Sequence, residues 1–503
     1  MLGLAAAVGV AASTRSGLAV GPDSSVYIAG ARNLLQGNGL VSRGQPVTHF
    51  PFGYPCLLAI NGAITGDAYR GAVVWNALGL GLTIALTGLT LFGATRGSWP
   101  AMLGGALFTL AATFRLHQAA ASEPPYLACT MAAALAVGWY FQRPSLRRVL
   151  VLAIPCAIAL TVRYAAASLL PPITLMLLLS RTRVRARLAH VVLFGAITCL
   201  PLGLWLIHNH LAYGSAANRS LAVHPFNAED AKELARTMTR FYFPPTQASQ
   251  SEKVRSIIGA VRIVLLTAMA VPLAALAGAA LRRTRLTTLV RQKPLTVCLL
   301  LLSLGYLGFA VLSKSLFDAA ITFGDRLAAP FNLLGALTCI AILFGTRRGT
   351  WARRARWISL PVLILAVAFN ARVDAGEFVK DDTRLVYAGP DWQKAEGIAL
   401  ARGLDKDIAI YSNSADATEF LTQRPARMLP CRYSSLTLVP NARLAEEMAE
   451  LERQLAAHKA IVIFFEAGRC RDYLIKDTDL DRLRPQIKTK LREATVYGWA
   501  TGR

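Results

Sequence analysis

Four charged residues stand at the edges of apolar sequence: Asp23 in "GPDSSVYIAGARNLLQGNGL", Glu123 in "HQAAASEPPYLAC", Arg163 in "ALTVRYAAASLLPP" and Arg326 in "FGDRLAAPFNLL". A carboxylate can take a proton from an attacking hydroxyl, and a planar guanidinium can bind two phosphate oxygens at once. Each residue also has a plainer use. Asp23, or Ser24 after it, could simply cap the helix that opens after Pro22, a role worth about 1 kcal/mol. Glu123 could be an exposed turn residue or a carboxylate settled at a helix N-terminus. Arg326 could close a local salt bridge with Asp325. Arg163 lies within apolar sequence, where a charge costs a few kcal/mol unless it is paired or solvated. In "PLGLWLIHNHLAYG", His208, Asn209 and His210 leave an apolar segment, and a lone histidine there is more often a surface residue than a ligand.

The elements that position these residues follow from composition. The 503 residues are 54% hydrophobic and 17% charged, with apolar runs recurring to about residue 371, which marks a polytopic membrane protein. A net charge of +25 would suit nucleic acid, yet the basic residues fall in short clusters between apolar runs, as in "QRPSLRR", "SRTRVRAR", "LRRTRLTTLVRQK" and "TRRGTWARRARW". Such loops are retained in the cytoplasm, so the charge reflects topology and no nucleic-acid partner is implied.

At about 20 residues per crossing, helices are expected near 2–20, 70–95, 99–117, 124–141, 149–164, 167–180, 190–207, 256–280, 295–313, 327–345 and 357–371. That odd number of crossings, about eleven, puts every arginine cluster in the cytoplasm and turns two polar segments, 21–69 and 208–255, outward. The first 20 residues could instead be a secretory signal, but no basic region precedes their apolar core.

The fold class expected is an all-α polytopic membrane domain over 1–371, followed by a small α/β extracytoplasmic domain over 372–503. In the latter, "DIAIYSNSADATEFL" reads as strand then helix, "ARLAEEMAELERQLAAH" as an amphipathic helix and "KAIVIFFEAG" as a buried strand. Cys431 and Cys470 fall there and could pair or stay as buried thiols, while the other six cysteines sit in or beside apolar segments as packing residues. No Walker-type phosphate loop and no zinc-type Cys/His spacing occurs, so ATP-driven transport and a cysteine-bound metal have no support in the sequence.

Within the first outward segment, Gly37, Gly39 and Gly44 supply turns and Pro55 starts a second helix. Two interfacial helices around such a turn would hold Asp23 at the membrane surface, and a loop that elaborate suggests a site more than a connector.

Taken together, "PDSSVYIAGARNLLQGNGL…GQPVTHFPFGYPCLLA", "SEPPYLA", "LTVRYAA", "PLGLWLIHNHLAYG" and "DRLAAPFNLL" resemble, in order, the motifs of GT-C membrane glycosyltransferases. The likeness is to the glycosyltransferase family 39 and protein mannosyltransferase-like group, which includes the aminoarabinose transferase of lipid A. It spans roughly residues 20 to 345. The resemblance implies transfer of a sugar, with inversion, from a polyprenyl phosphate to a glycan, lipid or protein acceptor on the outer face of a bacterial inner membrane. Asp23 occupies the position of the family's first-loop acid, although Ser24 stands where protein mannosyltransferases have a glutamate, which weakens the case for a protein acceptor. The tail stretch "IYSNSADATEFLTQRPARMLP" also resembles the C-terminal outer domain of bacterial members.

On that reading Asp23 is the base, Glu123 positions the acceptor or holds a cation, and Arg163 and Arg326 meet the leaving phosphate, with a divalent metal as an alternative stabiliser. Tyr27, His49 and Tyr54 are candidates for contacts to the sugar or lipid head, and Asn209 and Asp325 complete the candidate binding set. The lipid chain would lie in an apolar groove between helices. The alternative is a transporter or lipid flippase, but such proteins place ionisable residues near the bilayer midplane within repeated halves, and these halves do not repeat.

Overall fold

The computed structural model describes residues 1–244, 285–345, 350–378, 385–483 and 487–498, with a few isolated positions between 245 and 284. The helix expected at 256–280 lies outside the described residues.

The first helix, α1 (Leu2–Ser13), is shorter than the expected 2–20, because the Ser13 and Thr14 hydroxyls turn back onto the Val10 carbonyl and Gly17 takes φ 124°. Two helices follow within the first polar segment. They are α2 (Pro22–Leu35) and α3 (Gly53–Thr65), joined by a hairpin of β1 (Val41–Ser42) and β2 (Gln45–Pro46). Its two central residues, Arg43 and Gly44, both have positive φ, 54° and 72°, the requirement of a tight hairpin turn that matches strand twist.

The membrane body continues with α4 (Ala68–Ala94), α5 (Trp99–Thr113), α6 (Glu123–Gln142), α7 (Leu146–Val162), α8 (Leu170–Leu178) and α9 (Val184–Tyr213). After it come α10 (Ala228–Tyr242), α11 (Pro294–Leu316), α12 (Asp325–Gly345) and α13 (Thr350–Phe378). Among the described residues, five helices, α4, α9, α11, α12 and the 353–374 part of α13, are long and apolar enough to cross a membrane. The chain is a multi-pass integral membrane protein.

Because α6 runs away from one end of this bundle and α7 returns to it, the start of α6, the end of α7 and the start of α12 meet there. Close helix approach fixes their levels. A Cβ on Gly79 of α4 would lie 3.0 Å from Pro124, and one on Gly53 would lie 2.6 Å from the Thr161 carbonyl oxygen, so α4 and α3 press directly on the ends of α6 and α7. The core they enclose is continuous and includes Tyr54, Tyr126, Leu160 and Tyr306.

The chain ends in a five-stranded sheet formed by β3 (Ala409–Ser412), β4 (Ala426–Met428), β5 (Ala460–Phe465), β6 (Ile487–Lys490) and β7 (Ala494–Gly498), in the order β4-β3-β5-β7-β6. β3 is parallel to β4 and β5, while β7 is antiparallel to β5 and β6. α14 (Ala415–Thr422) connects β3 to β4 and packs on α2, and α15 (Leu444–Ala456) covers β5. Cys431 and Cys470 are both free thiols, so the pairing considered for them is not made.

Candidate active site

Three short backbone segments set the level of the site. Ala19 pairs in parallel with Ala119 and Val20 with Val386, through Ala19 N–H to Gln118 (2.9 Å), Ala120 N–H to Ala19 (2.9 Å), Val20 N–H to Leu385 (3.2 Å) and Tyr387 N–H to Val20 (3.1 Å). Asp23 follows Val20, and Glu123 follows Ala120, by three residues each, so one register brings both acids to the same depth.

Asp23 sits in the first turn of α2, but it does not cap the helix: Gly21 is the N-cap residue and no side chain caps the end. Its carboxylate instead lies 3.5 Å from Nη2 of Arg326. Glu123, the first residue of α6, is fully buried and receives two guanidiniums. Arg163 Nη1 approaches Oε1 at 2.8 Å, while Arg326 donates from Nε to Oε1 (3.0 Å) and from Nη2 to Oε2 (3.3 Å). The planar fork of Arg326 matches the carboxylate in two places. Arg163, at the C-cap of α7, also donates to Ser122 Oγ at 3.1 Å, which ties the end of α7 to the start of α6. Arg326 therefore does not close the expected local pair with Asp325, which is exposed and makes no hydrogen bond or ion pair with a described residue.

Exposure grades across this cluster. The side chains of Glu123 and Arg163 are 0% and 18% exposed, whereas those of Arg326 and Asp23 are 44% and 45% exposed. At the buried end Glu123 lies between two guanidiniums, although the Arg163 Nε is buried without a hydrogen-bond partner among the described residues, and the open end presents a carboxylate and a guanidinium side by side.

Aromatic rings wall the cluster. The Tyr27 ring, one turn beyond Asp23, meets Phe50 at 4.8 Å and Tyr54 at 5.1 Å. Tyr54 is fully buried, and its hydroxyl makes no hydrogen bond with a described residue, an unsatisfied group beside charged neighbours. Tyr306, on α11, lies beside Arg163 and 6.0 Å from the Tyr126 ring; the sequence reading missed it because a tyrosine in an apolar helix reads as packing.

Three expected residues fall outside the cluster. Asp325 points to solvent, as above. Asn209 lies inside α9, which runs to Tyr213 rather than ending near 207, and its Nδ2 donates to the Ala216 carbonyl at 3.1 Å to shape the turn beyond. His208 and His210 are likewise helical. His49 lies on the far side of Phe50, 4.5 Å from that ring; burial, then Arg43 and Arg219, lower its imidazole to about 4, so it is neutral at pH 7.

The residues present do not fit a divalent cation. Arg326 already occupies the ground between Asp23 and Glu123, and among the described residues no group of three or more His, Cys, Asp or Glu side chains could hold a metal.

The whole chain superposes on membrane transferases. A crystal structure of ArnT from Cupriavidus metallidurans bound to undecaprenyl phosphate matches 99% of this chain and 97% of that one, with TM-score 0.60 at 14% identity. The chain has the GT-C fold. The same protein in its apo state matches over the same shares with TM-score 0.57 and 14% identity. The archaeal oligosaccharyltransferase AglB from Archaeoglobus fulgidus, in complex with an inhibitory peptide and a dolichol-phosphate, matches 93% of this chain and 70% of that one, with TM-score 0.54 at 13% identity. No protein-family model and no curated protein sequence matches the chain.

Proposed function

We propose that the protein is a GT-C glycosyltransferase that moves a sugar from a polyprenyl-phosphate donor to an acceptor hydroxyl on the extracytoplasmic face, where the C-terminal unit also lies. The observation that carries the reading is the half-exposed pair of Asp23 and Arg326, 3.5 Å apart at the open end of a buried ionic network. As the acceptor oxygen attacks the anomeric carbon, its proton passes to the Asp23 carboxylate and the bond from that carbon to the phosphate oxygen breaks with inversion. A positioned base contributes roughly 10²–10⁴-fold.

Negative charge develops on the departing lipid phosphate, and Arg326 stands where it can meet that charge. Arg163 serves differently from the sequence expectation: its Nη1 is committed to Glu123 and Ser122, so it holds Glu123, which in turn aims Arg326. Glu123 is thus a positioning residue.

An apolar groove of about 600 Å³ between α3 and α9 suits the lipid chain. Phe52, Cys56, Leu204 and Trp205 line it, and Phe52 is two residues from the Phe50 that packs on Tyr27. Solved neighbours with undecaprenyl phosphate and dolichol-phosphate bound support the same donor class. The test supplies membranes containing the protein with polyprenyl phosphates carrying labelled sugars. Label appearing in a glycan, lipid or protein fraction supports the reading, whereas solute uptake without transfer from any donor would replace it with transport.

A further inference from the structure

A second cavity, of about 920 Å³, opens between the β1–β2 hairpin and the C-terminal unit. Arg43, Gln45 and His49 form one wall, and Tyr411, Arg427 and the glutamates of α15 form the other. The acids in it are already engaged: Glu446 with Arg443 Nε (3.3 Å), Glu447 with Asn441 Nδ2 (3.0 Å), and Glu450 with Gln454 Nε2 (2.6 Å) and Arg453. Two arginines on opposite walls meet no carboxylate side chain through their guanidiniums among the described residues. Arg427 is exposed, donates to the Tyr411 hydroxyl at 3.0 Å and lies 5.6 Å from its ring centroid, and neither it nor Arg43 forms an ion pair with a described residue.

Arg43 is also held at a backbone conformation an arginine rarely adopts. Its φ of 54° lies in the left-handed region that favours glycine or asparagine and is costly for other side chains. Glu419 of α14 maintains it, accepting the Arg43 N–H at 2.6 Å and the Ser42 hydroxyl at 2.7 Å while only 6% exposed. The cavity is therefore a built site, formed only where the C-terminal unit clasps the hairpin. One ring separates it from the carboxylate cluster: His49 lies in its wall, its ring 4.5 Å from Phe50, and Phe50 packs on Tyr27 one turn from Asp23.

We infer that this cleft binds the head of the acceptor, as an anionic, hydroxyl-rich glycan. Arg43 and Arg427 take phosphate or carboxylate oxygens from two sides, and Gln45 and the engaged side chains around them meet the sugar hydroxyls. The inference rests on the transferase reading for the word acceptor, but binding itself does not.

The experiment uses the full chain in lipid nanodiscs, titrated with glucosamine 6-phosphate, glucuronate, glucosamine and inorganic phosphate, with binding followed by calorimetry. The anionic sugars should bind the wild type at least tenfold more tightly than glucosamine or phosphate alone do. Arg43→Ala and Arg427→Ala should each weaken that binding at least tenfold, and Arg427→Lys should restore part of it, while binding of undecaprenyl phosphate stays as in the wild type and reports an intact fold. Phosphosugar bound but glucuronate not would narrow the anion to phosphate, and the reverse would narrow it to carboxylate. Anionic sugars that fail to bind the wild type, that bind both alanine variants equally well, or that bind no better than phosphate alone overturn the assignment. If that happens while sugar still leaves the donor, the cleft assignment alone falls. If the anionic sugars bind as expected but no donor ever yields its sugar, the acceptor role falls together with the transferase reading.

Discussion

In the C-terminal unit, Arg471 meets Asp416 through Nη2 at 2.7 Å and Nη1 at 2.9 Å, and Tyr387 and the Asn413 carbonyl take up its remaining reach. At the end of the membrane bundle, Glu123 meets Arg163 and Arg326, and Arg326 goes on to Asp23. The first cluster is closed: Asp416 and Arg471 are 3% and 13% exposed, and every partner lies inside the protein. The second buries Glu123 between two guanidiniums, leaves the Arg163 Nε without a hydrogen-bond partner among the described residues, and is open at its other end. Both solve the cost of burying charge in the same way, and only one leaves a carboxylate and a guanidinium for something else to touch. Buried ion pairs alone do not mark a site; an ion pair that runs from the interior to an open mouth does.

The largest effects should come from removing the buried acid of each cluster. Glu123→Ala leaves Arg163 without its carboxylate, and Asp416→Ala does the same to Arg471; breaking a buried pair costs about 3–5 kcal/mol. Thermal melting in detergent should show a comparable loss for both. Turnover should separate them, because Glu123→Ala also lets Arg326 drift and should abolish transfer, while the folded fraction of Asp416→Ala should turn over as the wild type does. Equal losses of turnover would erase the distinction between the two clusters.

Next in size is Arg326→Lys, which keeps the charge but loses the fork that reaches Glu123 and Asp23 together. Turnover should fall by about 10²-fold, the scale for losing one oriented donor at a developing oxyanion. Melting should barely move, since this side chain is half exposed, and a matching fall in stability would make Arg326 a structural strut.

The smallest effect concerns the seam between the two regions. Burial raises the Glu419 carboxyl above its usual range, against the opposing pull of the Ser42 and Arg43 hydrogen bonds. A raised acid contributes stability that is present below its unfolded pKa and is lost as pH rises through the folded one. The wild type should therefore gain melting temperature relative to Glu419→Gln as pH falls through that window. A difference that stays flat with pH would mean that the seam does not sense this proton.

The charged residues of the carboxylate cluster were largely legible in the sequence. Asp23, Glu123, Arg163 and Arg326 stand out because charge is costly in apolar surroundings, so each had to find a partner. Their partners were less visible: Arg326 could have served Asp325, and only the fold brings it to Glu123, 203 residues away. The register between 18–20, 118–120 and 385–387 has no signature at all, since bridges of one or two residues carry no periodicity. Helix ends also slipped. α9 starts at Val184 within an arginine-rich run, because arginine favours helix as well as marking a cytoplasmic loop, and it carries Asn209 along inside its last turns. His49 was placed with the site by its loop, yet Phe50 stands between it and Tyr27.

The most direct test of the account compares transfer of radiolabelled sugar from polyprenyl-phosphate donors in membranes holding equal amounts of wild type and Asp23→Asn. Because Asp23 neither caps α2 nor is buried, the variant should fold and melt as the wild type while transfer drops by about 10²–10⁴-fold. Equal transfer by the two proteins would contradict the account, and would remove Asp23 as the base.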